Sequence, residues 1–125
     1  MSGLIKISML RDLQQEFQKE MSELIDLYLR DAKKKIANLY RALEEENLNN
    51  FQGAARELRH RSLEVGAVEF SYYCLSLETA VQELRLESLH QLTTAVEKCF
   101  HRIRRELDEI KKTPPWKRQE LLKVK

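Results

Sequence analysis

The sequence predicts an all-α fold, an antiparallel four-helix bundle with a short extra helix at the N-terminal end and a short tail or helix at the C-terminal end. Three observations predict it. Apolar residues recur at three- and four-residue intervals over long stretches, the spacing of one helical face. Three Gly and two Pro in 125 residues are too few to punctuate a set of strands. No segment reads as a strand.

The elements follow in order. Ser8 to Gln14 has helical composition and predicts a short leading helix covering one end of the bundle. From Phe17 to Glu46, the residues Met21, Ile25, Tyr28, Ala32, Ile36, Leu39 and Leu43 lie on one face of a long amphipathic helix. Asn47 to Asn50 disfavours a helix interior and supplies capping side chains, so the chain turns there. A second helix carries Phe51, Ala55, Leu58 and Ser62, and Gly66 marks the bend that follows. Ala67, Phe70, Cys74, Leu77 and Val81 define a third helix. After Arg85 to Ser88, Leu89, Leu92, Val96, Cys99, Ile103, Leu107 and Ile110 define a fourth. Pro114 and Pro115 stop it. Four apolar stripes joined by short turns can be buried only against one another. The bundle is therefore assigned to residues 1–113 and a basic tail to 114–125. The tail holds Trp116, Leu121, Leu122 and Val124 among Lys117, Arg118, Lys123 and Lys125, as a packed helix, a frayed end or a partner-binding peptide.

Composition narrows the function. Twenty-two Lys and Arg against twenty Asp and Glu give a formal charge of +2, too balanced to argue for nucleic acid or an anionic membrane as a partner. Any functional charge must be local. Cys74 and Cys99 sit within apolar helical patterns and read as buried reduced thiols rather than zinc ligands. His90 and His101 lack a third ligand at metal-binding spacing, and neither metal nor cofactor is expected. Asp26 with Arg30 and Glu106 with Lys111 have the spacing of surface pairs, not of catalytic dyads. Residues 1–10 show no signal-peptide pattern and no stretch reaches membrane-span length, so a cytoplasmic monomer is expected.

The segment from Ala55 through Arg56, Leu58, Arg59, His60, Arg61 and Ser62 to Gly66 and Ala67 resembles the signature of histidine phosphotransfer domains, A-H-x-L-K-G-S-S-x-x-x-G-A. Ala55, Leu58, Ser62, Gly66 and Ala67 pin the register. Phe70, Cys74 and Leu77-Glu78 are similar to the family's following helix, and Leu24 to Ala32 to its long preceding helix, so the resemblance covers most of residues 10 to 112. It implies a four-helix bundle with a short extra helix, and a phosphoryl group passed between an exposed histidine and the aspartate of a receiver domain. This chain departs at that histidine. Arg56 stands in its place, Arg59 keeps the supporting cation, and His60-Arg61 replaces the small pair that lets a receiver approach. A guanidinium stays protonated at physiological pH and cannot be the nucleophile.

Helical geometry projects Arg56, Arg59, His60 and Leu63 together, opposite Phe51, Ala55, Leu58 and Ser62, and the first group is expected to face solvent. Arg61 falls nearer the core edge, toward packing or a neighbouring acid. A solvated helix face with no task is the bland alternative. The sharper expectation is a pseudo-phosphotransfer protein that is not an enzyme and docks a receiver domain or a sensor histidine kinase of a two-component phosphorelay. The docking face would comprise Arg56, Arg59, His60, Leu63 and Gln52, with Leu24 and Leu27 from the long helix. Two alternatives stay open: an active phosphocarrier using His60, one helical turn after Arg56, and a helical scaffold with an unrelated protein partner.

Overall fold

The computed structural model describes residues 7–112, with side chains from residue 15 onward; the tail assigned to 114–125 lies outside them. Four helices form: α1 (Ile7–Glu44), α2 (Leu48–Glu64), α3 (Val68–Gln82) and α4 (Leu89–Lys112), with a single 3-10 turn, Leu86–Ser88, before the last. There is no strand among the described residues. The leading helix expected over Ser8 to Gln14 is not a separate element, because the chain continues through it into α1 without a break. Nothing between residues 8 and 21 supplies a stop: no Gly or Pro interrupts the run.

All three connections close in the same way. The amides of Asn47, Ala67 and Arg85 donate to the carbonyls of Ala42, Ser62 and Ala80, each at 2.9 Å. The residue before each donor takes a left-handed conformation: Glu46 at φ 54°, Gly66 at φ 79° and Leu84 at φ 57°. These are Schellman closures, which satisfy the last carbonyls of a helix and reverse the chain within a few residues. Gly66 is the residue that adopts this conformation without strain. Asn47 then caps α2, its side chain accepting from the Asn50 amide at 3.0 Å.

The helices pack in a ring, α2 and α4 each lying between α1 and α3. Directions alternate. The Gln18 side-chain amide donates to the Lys111 carbonyl at 3.5 Å and Lys111 pairs with Asp26, while Tyr40, at the other end of α1, donates to Glu97 at 3.1 Å. The Asp26 pairing replaces the expected one with Arg30. Most of the core is the set read from periodicity, with Ala54, Ala80 and Phe100 buried in addition. Leu39, Phe51, Leu58, Phe70, Leu77 and Val96 are wholly buried, and Phe70 meets Phe100 with ring centroids 6.1 Å apart. On α1, Ala42 rather than Leu43 occupies the buried position near the turn.

Candidate functional site

Helix α2 positions the site. Its inner face, Phe51, Ala54, Ala55, Leu58 and Ser62, is buried, which turns Arg56, His60 and Leu63 outward. Arg56 and His60 are exposed, Leu63 is 46% exposed and Gln52 is half-buried. Arg59 departs from expectation. Its guanidinium does not face solvent but lies against α3, where Nε donates to Glu78 Oε2 at 2.5 Å and Nη2 to Oε1 at 3.3 Å. Arg56 Nε stands 3.5 Å from the same carboxylate, so one acid holds both arginines. The reason is the α2 phase. Residue 59 lies only about 80° from residue 51, at the edge of the core stripe, and so meets the neighbouring helix.

Glu78 is the residue sequence reasoning missed. Its side chain is only 6% exposed, and a buried carboxylate needs a partner. The signal was present: Glu78 falls four residues after Cys74 and eight after Phe70, on the apolar stripe of α3, where an acid calls for a cation from the facing helix. Arg59, held by this carboxylate, has its guanidinium pushed further up from its ordinary value, chiefly by the hydrogen bond. Arg56, with its side chain 55% exposed, is the cation of the pair that remains open to a partner.

The other flank of α2 is organised differently. Arg61 lies 3.7 Å from Asp31 of α1 and 3.6 Å from Glu64, in the role of partner to a neighbouring acid. Lys35 pairs with Glu57. Beneath them the Tyr28 hydroxyl meets Ser62 Oγ at 2.8 Å, and Ser62 in turn donates to the Leu58 carbonyl at 2.7 Å. Both side chains are buried, and burial pushes the Tyr28 phenol up to about 12. Leu24 and Leu27 are 62% and 57% exposed and line a cleft of about 220 Å³ with Arg61, Glu64 and Val65. The structure therefore brings Arg56 and Arg59 together on the α3 side and sets Leu24 and Leu27 on the α1 side.

No group of three His, Cys, Asp or Glu among the described residues is placed to hold a metal, and no described helix is long and apolar enough to cross a membrane. Cys74 and Cys99 are free and buried, and burial pushes the Cys74 thiol up to about 12. His90 meets the Tyr40 ring edge-on and His101 lies beside Phe100.

A ring of four antiparallel helices presenting the outer face of its second helix is a known class of fold. It is that of the crystal structure of histidine-containing phosphotransfer protein B from Pseudomonas aeruginosa, which matches with a TM-score of 0.72 over 86% of this chain and 94% of that one, at 22% sequence identity. The chain shares the fold of that phosphotransfer protein. No protein-family model matches the chain, and no curated protein matches it in sequence.

Proposed function

We propose that this chain is a non-enzymatic docking protein of phosphorelay signalling, binding a receiver domain or a sensor kinase through the outer face of α2 and modulating it without carrying phosphate. One observation carries the reading: at the signature position of the phosphorylated histidine stands Arg56, an exposed guanidinium that cannot accept a phosphoryl group. The shared fold supports the partner class. With Arg59 engaged by Glu78, Arg56 is the cation that reaches an acidic receiver pocket, while Gln52, His60 and Leu63 border it and Leu24 and Leu27 add apolar area from α1.

The test incubates the protein with phosphorylated receiver domains and with sensor kinases, measuring acid-labile phosphate on the protein and affinity for each partner. The expected outcome is no label, together with receiver binding that His60→Ala preserves and Arg56→Glu weakens about tenfold or more. Label on the wild type that disappears in His60→Ala overturns the proposal in favour of a phosphocarrier. Absence of binding to any receiver or kinase overturns it in favour of an unrelated scaffold.

A further inference from the structure

Helix α1 turns one face to α2 and carries that face past the end of α2. Tyr28, Asp31 and Lys35 reach Ser62, Arg61 and Glu57, and α2 stops at Glu64. Each step of about two turns back from Asp31 returns to nearly the same face and lands on Leu24 and then Phe17. With Leu27 they lie within about 80° of one another around the helix. All three are large, apolar and exposed, Phe17 at 64%, Leu24 at 62% and Leu27 at 57%. The end of α2 meets the Leu24 and Leu27 part of this stripe through Arg61, Glu64 and Val65, and leaves it open.

The stripe is set in negative charge. Between residues 15 and 27, α1 carries Glu16, Glu20, Glu23 and Asp26 against Lys19 alone. Glu20 falls within the stripe and Glu16 and Glu23 along its outer edge, all three exposed. The cleft adds Asp31 and Glu64 against Arg61, which already stands between them at 3.7 and 3.6 Å. Lys111 of α4 takes Asp26. Six acids thus face three cations, Lys19, Arg61 and Lys111.

The end of α4 lies beside the same stretch of α1, the Gln18 side-chain amide donating to the Lys111 carbonyl and Lys111 pairing with Asp26. Pro114 and Pro115 bar the helix from continuing along its axis. Residues 113–125 carry Trp116, Leu121, Leu122 and Val124, with Lys117, Arg118, Lys123 and Lys125 against Glu120 alone. Their contour is roughly 40 Å when extended, and the stripe lies only a helix diameter of about 10 Å away, on the far side of α1 from α4.

We infer that residues 113–125 dock on this stripe, Trp116 and the tail leucines covering Phe17, Leu24 and Leu27 while the tail cations meet Glu16, Glu20 and Glu23. Apolar side chains meet apolar ones, opposite charges align, and attachment at Lys112 holds the segment at high effective concentration. The packing itself does not rest on the α2 reading. One consequence does: Leu24 and Leu27 flank the proposed docking face, so a partner that uses them displaces the tail.

Trp116 is the chain's only tryptophan, so the emission of the full chain reports this segment. It is expected to be blue-shifted from that of a synthetic 113–125 peptide and protected from acrylamide. The Phe17→Ser, Leu24→Ser double variant and, separately, Glu20→Lys, Glu23→Lys should each red-shift it to the peptide's value. Lys123→Glu, Lys125→Glu should do the same, and combining the two charge reversals should restore the blue shift, which a folding defect would not do. All four α1 positions are exposed, and circular dichroism checks that the variants fold. Full-chain emission equal to the peptide's overturns the inference. So does a blue shift that both α1 variants leave in place, because the tail then packs elsewhere. A blue shift that fades on dilution together with a dimer seen in sedimentation assigns the stripe to a second copy, and equally overturns it. No receiver or kinase enters the measurement and Arg56→Glu should leave the emission unchanged, so failure here is distinct from failure of the α2 reading.

Discussion

Toward α3, helix α2 buries a charge: Arg59 sits on Glu78, a carboxylate only 6% exposed, with Arg56 beside it. Toward α1 it buries neutral hydroxyls, Tyr28 on Ser62, and one oxygen of a half-buried carboxylate, Asp31 Oδ2, which accepts no hydrogen bond and stands 3.7 Å from Arg61, while Lys35 with Glu57 pairs nearer the surface. The difference matters because a buried charge without its partner is far costlier than a buried hydroxyl without one, and an exposed pair contributes least. The α3 flank should thus be the brittle side of α2 and the α1 flank the tolerant one. It also means that the basic patch suggested by Arg56, Arg59 and His60 is weaker than a residue count implies.

The largest effect is expected at Glu78. Glu78→Ala leaves Arg59, whose side chain is 25% exposed, without its carboxylate and should cost about 3 kcal/mol in urea unfolding. Glu78→Gln keeps an acceptor and should cost less. If Glu78→Ala unfolds no more easily than the wild type, the carboxylate is not the anchor of this flank.

Alkaline pH sharpens the comparison next. Burial pushes Cys74 on α3 from 9.0 to about 12 and Tyr28 on α1 from 10.0 to about 12. Both folded values are raised, so the stability they protect is complete below the unfolded values and is lost as pH climbs from 9 toward 12, the unfolded chain ionising first. Each group should contribute a slope of about 1.4 kcal/mol per pH unit within its window. Urea midpoints measured from pH 8 to 11 should fall, and Tyr28→Phe should flatten the curve only above pH 10.

The hydroxyl pair should come third, and its two halves should differ. Ser62→Ala strands the Tyr28 hydroxyl in a site where Tyr28 is 5% exposed, at a cost of about 2 kcal/mol. Tyr28→Phe leaves Ser62 still donating to Leu58, and should cost about 1 kcal/mol. Equal costs would mean that the unpaired phenol finds water.

Much of this was legible in the residues. Period and turn chemistry located all four helices, the bend at Gly66 and nearly every core position, because burial of an apolar stripe is recorded in spacing alone. The outward set of α2 was legible for Arg56, His60 and Leu63, which lie well away from the core. It failed for Arg59, whose position at the stripe edge is decided by what the neighbouring helix offers, and α3 offers Glu78. Leu24 and Leu27 fall beside the core stripe, so spacing left open whether they are core or docking surface, and their separation from Arg56 was not readable either, since their side of α2 depends on how the helices are ordered around the ring. The end of the supposed leading helix was not readable at all: helical composition continues across it with no breaker.

The smallest effect is expected from the surface pair of Lys35 and Glu57, and it tests the comparison from its weak side. The Lys35 ammonium, first through its hydrogen bond and then through its charge, holds the Glu57 carboxyl below its ordinary 4.5. A depressed folded value means that the contribution is present above the unfolded value and is lost as pH falls through the folded one. Glu57 is 61% exposed, however, so solvent screens the pair and Lys35→Ala should cost no more than about 0.5 kcal/mol at pH 7. That difference from the wild type should shrink as pH falls through the folded value of Glu57 and vanish once the carboxyl is protonated in both folded and unfolded chains. A loss rivalling that of Glu78→Ala would mean that exposure does not separate the two flanks, and that α2 is clamped electrostatically from both sides.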